Sequence, residues 1–389
     1  MTAGHALDAR IDEFLAANPY PSLGDVEFRA RRFDAGLAFV SFRPGRGGLG
    51  LEPDLQPYVE QRFLDDGVPD TRMRNIIGLG MAAPTLHEHG TERQLDLLRP
   101  LYSGEHIWCQ LFSEPGAGSD LAGLASRAED RGDHYVVNGQ KVWTSLGHVA
   151  RWALLLARTD PELPKHQGLT YFVLDMHASG VEVRGLRQIT GESEFNEVFL
   201  TDVRVPTTGV IGAPGQGWRI AMTTLMNERV AAAGSPVAMG GGPIGEAVAT
   251  YERAVRAGTA DAGDRDRLLR LWTAVEAARQ MNANASAGPL GSIVKLQLAE
   301  TVRAVYDYCL DLGGPDALLI DHYDDARPDA VTALGGGGHP GKAYLRAIAN
   351  SIEGGTSEIL KTVLAERVLG LPAEPLIDRD QPWKRIRRS

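Results

Sequence analysis

The amino-acid sequence predicts a multidomain α+β fold in which a β-rich middle segment lies between two helical ones. Helical patterns dominate from the start to about Leu111, and they shorten into alternation and turns between Phe112 and about Pro214. Beyond Gly217 long helical runs return. The length of 389 residues leaves room for two or three domains. We therefore predict an N-terminal α-helical domain at residues 1–111, a middle β-domain at 112–214 and a C-terminal helical domain at 215–389.

The first two segments contain elements that can be placed individually. Apolar spacing predicts helices over residues 7–15 and 57–64, with a glycine-rich loop at 44–50 between them. In the middle segment, Asn138-Gly139 stands between two short apolar runs, which is the pattern of a tight β-hairpin turn. Further strands are predicted at residues 153–158, 170–175, 181–184 and 197–205.

The last segment carries two long helical runs, at residues 265–281 and 292–312. Glycine clusters at 240–242 and 335–338 are interpreted as loops or hinges. The basic end at 383–389 is interpreted as a solvated tail, and not as an anchor for a membrane or a nucleic acid.

Composition narrows the functional class. The formal charge of −10, from 40 basic and 50 acidic residues, argues against a nucleic-acid-binding surface. No apolar run reaches membrane-spanning length, and the N-terminus lacks the pattern of a signal peptide. Cys109 and Cys309 are too few for a disulfide framework, so we expect a cytoplasmic protein. The spacing of His87, His89, His106 and His148 predicts no metal site, and these residues are interpreted as structural.

Two polar stretches of the middle segment could bind a ligand. Residues 112–120 form a loop of small residues with two glycines, two hydroxyls and two carboxylates, able to bring backbone N–H groups close to an anionic or heteroaromatic group. Trp143-Thr144-Ser145 offers a flat aromatic ring beside two hydroxyls. Each stretch alone is typical of an ordinary turn or a core strand, and only their pairing favours a binding site.

At this point the chain resembles the acyl-CoA dehydrogenase family, essentially from end to end. The loop Ser-Glu-Pro-Gly-Ala-Gly-Ser-Asp at 113–120 together with Asn-Gly-Gln-Lys-Val-Trp at 138–143 is a specific combination. Other matching motifs stand at residues 90–94, 195–206, 312–314, 355–359 and 365–372. The resemblance implies an N-terminal helical domain, a middle β-barrel or sandwich domain and a C-terminal four-helix bundle, with FAD as cofactor. It also implies a homo-oligomer, a dimer or tetramer, or a heteromer with a related subunit.

The resemblance assigns cofactor roles residue by residue. Ser113 with the adjacent backbone meets the pyrimidine end of the flavin, Trp143 lies against the isoalloxazine and Ser145 lies near its N5 edge. Ser119 lies near phosphates or the substrate channel, so it is assigned to both cofactor and substrate. Arg256 is the candidate for the FAD diphosphate, although the Phe-Gly that usually follows such an arginine is absent. The other residues assigned to the cofactor site are Phe112, Gly118, Thr144, Leu312, Gly313, Gly314, Thr356 and Glu358.

The family chemistry requires a base for the α-proton of a thioester, with a pKa raised towards neutrality by burial. Most relatives carry a glutamate directly before Gly-Thr, where this chain has Gly354. A minority place the glutamate on the first helix of the C-terminal bundle, directly before an arginine, and Glu228-Arg229 matches that arrangement. Glu228 is therefore predicted as the base. Arg229, Gly354 and Gly355 are assigned to the substrate side.

Several alternatives stay open at this stage. Glu353 is the rival base, although a charge at the N-terminus of the following helix also explains it. The chain could dehydrogenate an acyl-CoA substrate and pass electrons to an electron-transfer flavoprotein. It could instead be the partner subunit of a heteromeric enzyme, or an oxygen-using flavin relative. The glycine pair at 354–355 favours a branched or polycyclic acyl group, and the sequence leaves chain length undetermined.

Overall fold

The computed structural model describes residues 3–232, 239–283, 289–320, 325–331, 339–373, 375, 378 and 380–386. Helices, a sheet and further helices follow one another in the predicted order, which confirms the α+β fold class. The contacts divide the chain into two compact units. The first comprises Met1–Arg184, Phe195–Thr224 and Asp380–Ser389, and the second comprises Gly185–Glu194 and Leu225–Arg379. The domain boundaries at residues 111 and 214 stay a prediction.

The N-terminal part of the first unit is helical. The helices predicted at residues 7–15 and 57–64 are confirmed as α1 and α3, and they enclose an aromatic core in which Phe28 packs edge-on against Phe14 and Phe63 at 5.5 and 6.1 Å. Thr91 caps α5 by accepting a hydrogen bond from the Gln94 N–H at 3.3 Å. The helices are α1 Ala3–Ala17, α2 Asp25–Asp34, α3 Gln56–Asp65, α4 Ala83–His89, α5 Glu92–Leu95 and α6 Leu98–Ser103.

A seven-stranded sheet follows in the order β1-β4-β2-β3-β7-β6, with β5 paired to β4. β4 and β5 are antiparallel neighbours and almost wholly buried, because their sequences are mostly apolar. The strands predicted at 153–158, 170–175, 181–184 and 197–205 are confirmed as β4 to β7. The strands are β1 Trp108–Leu111, β2 Arg127–Asp130, β3 His134–Ser145, β4 Trp152–Arg158, β5 Leu169–Asp175, β6 Val181–Gly185 and β7 Phe195–Pro206.

The hairpin predicted at Asn138-Gly139 is wrong, because β3 runs straight through both residues. A β-bulge between Val137 and Gly139 shifts the register against β7 and absorbs the irregularity. The Asn138 amide exchanges two 3.0 Å hydrogen bonds with the side chain and backbone of Asp202 across the ladder. Gly139 meets a different need, since a Cβ there would lie 2.1 Å from Ser126 Oγ and 2.8 Å from Ser126 Cα.

We expect Gly139→Ala to lower the free energy of unfolding by about 1–3 kcal/mol, because the added methyl group overpacks the contact with the Ser126 backbone. Gly116→Ala is the matched control, since a Cβ at Gly116 would meet nothing within 4 Å. Thermal denaturation followed by circular dichroism measures both. Equal thermal midpoints for the two variants would contradict the prediction. They would show that the chain near Gly139 and Ser126 moves apart to accommodate the methyl group at little cost in free energy.

The remaining helices form the C-terminal part of the chain. Helix α10 packs against α8, α9 and α11, the arrangement of a helical bundle, around the fully buried Ala247, Val305 and Tyr306. The runs predicted at 265–281 and 292–312 are confirmed as α9 and α10. The helices are α7 Gly217–Ala232, α8 Pro243–Ala257, α9 Ala262–Ala283, α10 Pro289–Gly313, α11 Pro340–Ala349 and α12 Ser357–Val363.

Of the two glycine clusters, residues 240–242 are confirmed as a turn before α8, with positive φ at Gly240 and Gly242. The cluster at 335–338 lies outside the described residues. Within the described ranges, every helix is too short or too polar to cross a membrane.

Candidate functional site

The predicted site residues are divided between the two units. The loop at 112–120 and residues 143–145 belong to the first unit, and Glu228 and residues 353–358 belong to the second. In the first unit, the loop leaves the end of β1 and passes beside β3, where the Val142 N–H donates to the Ser113 carbonyl at 2.9 Å. Gly118 and Ser119, further along the loop, are exposed.

A buried ion pair holds this loop against β3. Lys141 Nζ, on β3, donates to Glu114 Oε1 at 2.8 Å and to the Phe112 and Leu156 carbonyls at 3.0 and 2.9 Å. The Glu114 carboxylate also accepts the N–H groups of residues 125 and 126 at 2.6 and 2.9 Å. Every polar atom of the pair therefore has a partner, the condition under which a buried ion pair is tolerated.

The electrostatics of Glu114 follow from these contacts. Burial by itself would raise the pKa of the Glu114 carboxyl. The Lys141 ammonium and the hydrogen bonds from residues 125 and 126 outweigh burial and hold the pKa below its ordinary value. Glu114 is thus a structural anion that holds the loop, although the sequence suggested only a small-residue turn.

Trp143 has the most unusual conformation in the first unit. It lies at a second bulge of β3, between Lys141 and Thr144, with φ of +61°, a region that non-glycine residues seldom adopt. The residue is 59% exposed, and its ring meets the ring of Phe195 edge-on at 5.8 Å. A strained backbone that turns a large aromatic side chain towards solvent marks a ligand platform more often than a core residue.

The neighbours of Trp143 complete this platform. The Thr144 side chain is buried, and its Oγ1 has no hydrogen-bond partner among the described residues. Ser145 pairs with Phe195 at the end of β3 and is partly buried. An exposed flat ring, an unsatisfied hydroxyl and a rigid glycine-containing loop fit a heteroaromatic cofactor such as a flavin.

The C-terminal tail packs onto the same unit through Trp383, which corrects the interpretation of the tail as solvated at that residue, while the basic Lys384 and Arg385 are exposed as predicted. Trp383 is only 8% exposed, and its Nε1 donates to the Gly123 carbonyl at 3.1 Å. Its ring covers the Arg158 guanidinium at 4.3 Å, and Arg158 in turn donates to the Ala122 carbonyl at 2.6 Å. The tail and the loop together line a cavity of about 410 Å³. Residues 387–389 lie outside the described residues.

In the second unit, Glu228 and Gly354 are brought together. Glu228 lies on α7 and is partly buried. Gly354 has φ of +65°, and a Cβ built on it would lie 3.9 Å from Glu228 Oε1. The carboxylate of Glu228 therefore lies beside the place from which a side chain at 354 would start. Glu228 and Gly354 are more than a hundred residues apart in the sequence, and the fold brings them next to each other.

The rival carboxylate is engaged elsewhere. Both oxygens of Glu353 accept hydrogen bonds from Arg346, at 3.1 and 3.2 Å, and Arg346 also donates to the fully buried Glu194 at 3.3 Å. Burial alone would lower the pKa of Arg346, but the two carboxylates raise it. Glu353 is therefore part of an ion-pair network. The acidic residue in the first turn of α12 is Glu358, and not Glu353.

The other predicted residues are scattered through the second unit. Arg256 is exposed at the end of α8. Its guanidinium lies 3.8 Å from the Glu252 carboxylate, a long distance for an ion pair, so the two residues form a weak surface pair. Leu312 and Gly313 end α10, and Gly314, with φ of +61°, starts a short turn. Thr356 caps α12 by accepting the Ile359 N–H at 3.2 Å. The side chain of Arg229 lies outside the described part of the chain.

The sequence reasoning missed a buried lysine at this location. Lys295 lies on α10, its Cε would be 3.6 Å from a Cβ at Gly354, and its Nζ donates to the Gly355 carbonyl at 2.7 Å. The available signal was a lone cation within the apolar run Ser-Ile-Val-Lys-Leu at 292–296. Such a residue on a core-facing stretch needs a buried partner.

Comparison with known proteins supplies the relatives of this chain. The family described as "Acyl-CoA dehydrogenase, middle domain" matches residues 109–203, and "Acyl-CoA dehydrogenase, C-terminal domain" matches residues 215–369. Acyl-CoA dehydrogenase FadE34 of Mycobacterium tuberculosis is 39% identical over 342 residues, which are 85% of this chain but only 44% of that protein. The chain thus spans less than half the length of this relative.

A second relative matches along most of both chains. Acyl-CoA dehydrogenase IpdE1 of Mycobacterium tuberculosis is 37% identical over 351 residues, covering 87% of this chain and 86% of that protein. Among solved structures, the Tcur3481-Tcur3483 steroid ACAD superposes with a TM-score of 0.68 at 25% identity, covering 95% of this chain and 98% of the other.

Proposed function

Since the chain belongs to the acyl-CoA dehydrogenase family, and so is an oxidoreductase of that family, we propose that it introduces a trans α,β double bond into an acyl-CoA thioester. The observation that carries this proposal is the position of Glu228 Oε1, 3.9 Å from where a Cβ at Gly354 would lie. A base moved from one segment to another would have to reach the space beside position 354 from a different backbone, and the proximity of the Glu228 carboxylate to that position supports this role. Glu353, with both oxygens bound to Arg346, is the weaker candidate.

The roles of the residues follow from the chemistry of a thioester. Glu228, which is partly buried, accepts the α-proton as a general base. The backbone at Gly354 and Gly355 holds the thioester carbonyl while negative charge develops on its oxygen. Absence of a side chain at both positions leaves room for the acyl group.

The platform of the first unit would hold FAD, which supplies the acceptor for the β-hydrogen as hydride. Trp143 orients the ring system, and the loop of residues 112–120 presents backbone N–H groups and the Ser113 and Ser119 hydroxyls. The ion pair of Lys141 and Glu114 keeps this loop rigid, so that little conformational entropy is lost on binding. An electron-transfer flavoprotein would be the final acceptor of the two electrons removed from the substrate.

The substrate class is a polycyclic, steroid-derived acyl-CoA. Two observations support it: the glycine pair at 354–355, and the similarity to a structure described as a steroid ACAD. The same structure carries two chain names, which supports an oligomer or a heteromer with a related subunit. The solvent-exposed Arg256, without the usual Phe-Gly, favours a second candidate function, in which this chain completes the cofactor site of a catalytic partner.

Anaerobic spectroscopy tests the proposal. The protein, alone or with its partner subunit, should be yellow with the absorbance of bound FAD, and a steroid-derived acyl-CoA should bleach that absorbance faster than straight-chain thioesters do. If no thioester bleaches the flavin absorbance of this protein alone, but activity appears when it is mixed with a related subunit whose own base is intact, the second candidate is favoured. A protein that stays colourless with added FAD and partner contradicts both. Rapid reaction of the reduced flavin with oxygen would identify an oxygen-using relative.

A further inference from the structure

We infer that Lys295 is a positioning residue that sets the backbone of the Gly354-Gly355 loop against Glu228. The inference rests on the proposed function, because it assigns that loop to the thioester carbonyl and Glu228 to the α-proton. Lys295 is 5% exposed on α10, in the middle of an apolar run. A buried ammonium is costly unless its donors are satisfied, so each acceptor that it has found is informative, and the Gly355 carbonyl is one of them.

That acceptor belongs to the loop. Lys295 Nζ donates to the Gly355 carbonyl at 2.7 Å, a short distance typical of a charge-assisted hydrogen bond. The loop joins α11 to α12, and the Gly355 carbonyl belongs to the peptide that leads directly into Thr356, the cap of α12. The Lys295 side chain thereby fixes the plane of the peptide that joins Gly355 to Thr356, at the start of α12.

The glycine pair needs such an anchor because it cannot fix its own conformation. Gly354 and Gly355 have φ of +65° and +96°, and consecutive glycines have the widest choice of backbone conformations of any pair. Neither has a side chain that could pack or hydrogen-bond to hold the loop in place. Arg346 holds the preceding residue, Glu353, and the Ser357 N–H donates to the Ser351 carbonyl across the loop at 3.0 Å. The Lys295 ammonium adds the contact to the glycine pair itself, at the Gly355 carbonyl.

The same side chain reaches the location of the base. Lys295 Cε and Glu228 Oε1 lie 3.6 and 3.9 Å from one point, the place where a Cβ on Gly354 would be. The lysine stem and the Glu228 carboxylate therefore both line the position where a side chain at 354 would start, while the ammonium holds the loop. Through one residue, the proton acceptor and the carbonyl-binding backbone keep a fixed separation. Proton abstraction depends on that separation, since a misplacement of about 1 Å can lower a rate about a hundred-fold.

Lys295→Met tests the inference, because it keeps the length of the stem and removes the ammonium. In anaerobic stopped-flow experiments with the FAD-loaded protein, we expect the limiting rate of flavin reduction to fall about ten- to a hundred-fold, with a change of less than about three-fold in the dissociation constant of the acyl-CoA. FAD content should stay at the wild-type level. Lys361→Met, on an exposed position of α12, is the matched control and should leave the rate unchanged.

Hydrogen–deuterium exchange provides a readout that needs no activity. Peptides covering residues 352–360 should exchange faster in Lys295→Met than in the wild type and the control. Lys295→Gln retains a neutral donor, so its exchange and its rate should lie between those of Met and wild type. If Lys295→Met does not fold, the Lys295→Gln variant decides the question. The inference requires residues 352–360 to exchange faster in Lys295→Gln than in the wild type.

Three outcomes overturn the inference. One is wild-type exchange in the Met or Gln variant, and another is a wild-type reduction rate in Lys295→Met. The third is a parallel loss of FAD, substrate affinity and rate, which is the pattern of a lysine that only stabilises the fold. If no thioester reduces the wild-type protein, the proposed function fails, while the exchange of residues 352–360 still decides whether Lys295 sets the loop.

Discussion

Replacing Glu228 by glutamine should lower the rate of flavin reduction by acyl-CoA about a hundred- to ten-thousand-fold, the range that a general base contributes. The amide has nearly the same size as the carboxylate and can still form hydrogen bonds, but it cannot accept the α-proton. FAD content and substrate binding should therefore remain. Anaerobic stopped-flow absorbance with a thioester that bleaches the wild-type protein measures the rate, and the spectral change on mixing reports binding.

Glu353→Gln is the matched control for this prediction. Its carboxylate is about a third exposed and paired with Arg346, which keeps Glu194 as a second partner. We expect a loss of about 0–1 kcal/mol in stability, as for other partly exposed pairs, and little change in the reduction rate. If Glu353→Gln abolished reduction while Glu228→Gln left it intact, the base would have been assigned to the wrong segment.

Moving the carboxylate back to position 354 extends the same test. In the Glu228→Gln background, Gly354→Glu places a carboxylate whose Cβ lies in ordinary contact with its neighbours, 3.6 Å from Lys295 Cε and 3.9 Å from the former Oε1 position. The φ of +65° costs a non-glycine residue about 1–2 kcal/mol, so recovery should be partial. A double variant with no more activity than Glu228→Gln alone would show that the loop cannot present a base.

The second large effect is expected at Lys141, where Lys141→Met should destabilise the protein by about 3–5 kcal/mol. The change leaves the Glu114 carboxylate buried without its cation and removes the donor to the Phe112 and Leu156 carbonyls. Because Glu114 holds the 112–120 loop, FAD should also be lost on gel filtration. Lys384→Met is the control, since Lys384 and Glu162 form an exposed pair at 2.6 Å, worth about 0–1 kcal/mol.

The pH dependence of the Lys141→Met effect identifies its cause. In the wild type the pKa of Glu114 is held below its ordinary value, so the stabilisation is complete at neutral pH and is lost as the pH falls through that lowered pKa. Without Lys141, burial raises the pKa of Glu114, and protonation becomes favourable at a higher pH. The difference in thermal midpoint between wild type and variant should therefore shrink as the pH falls towards about 4. A difference independent of pH would attribute the loss to packing.

The agreement between sequence and structure depends on whether a feature is local. Periodicity placed the strands β4 to β7 and the helices α9 and α10, since the residues that face the core repeat within each element. The hairpin prediction at Asn138-Gly139 was wrong because the same dipeptide suits both a turn and a bulge. Only the contact of Gly139 with Ser126 distinguishes the two. The burial of Trp383 in the tail was missed for a similar reason, because its partner is Arg158, more than two hundred residues away.

The sequence by itself determined the fold class, the candidate residues Glu228 and Trp143, and the missing side chain at Gly354. Only the tertiary structure decided what these residues contact. It placed the Glu228 carboxylate beside the Cβ position of Gly354, bound Glu353 to Arg346, gave Trp143 its left-handed backbone and brought Lys295 to the glycine loop. The physical reason is that residue type and spacing fix local conformation and chemical capacity. Which charges become buried partners depends on contacts between segments that are distant in the chain, and no local pattern encodes those distances.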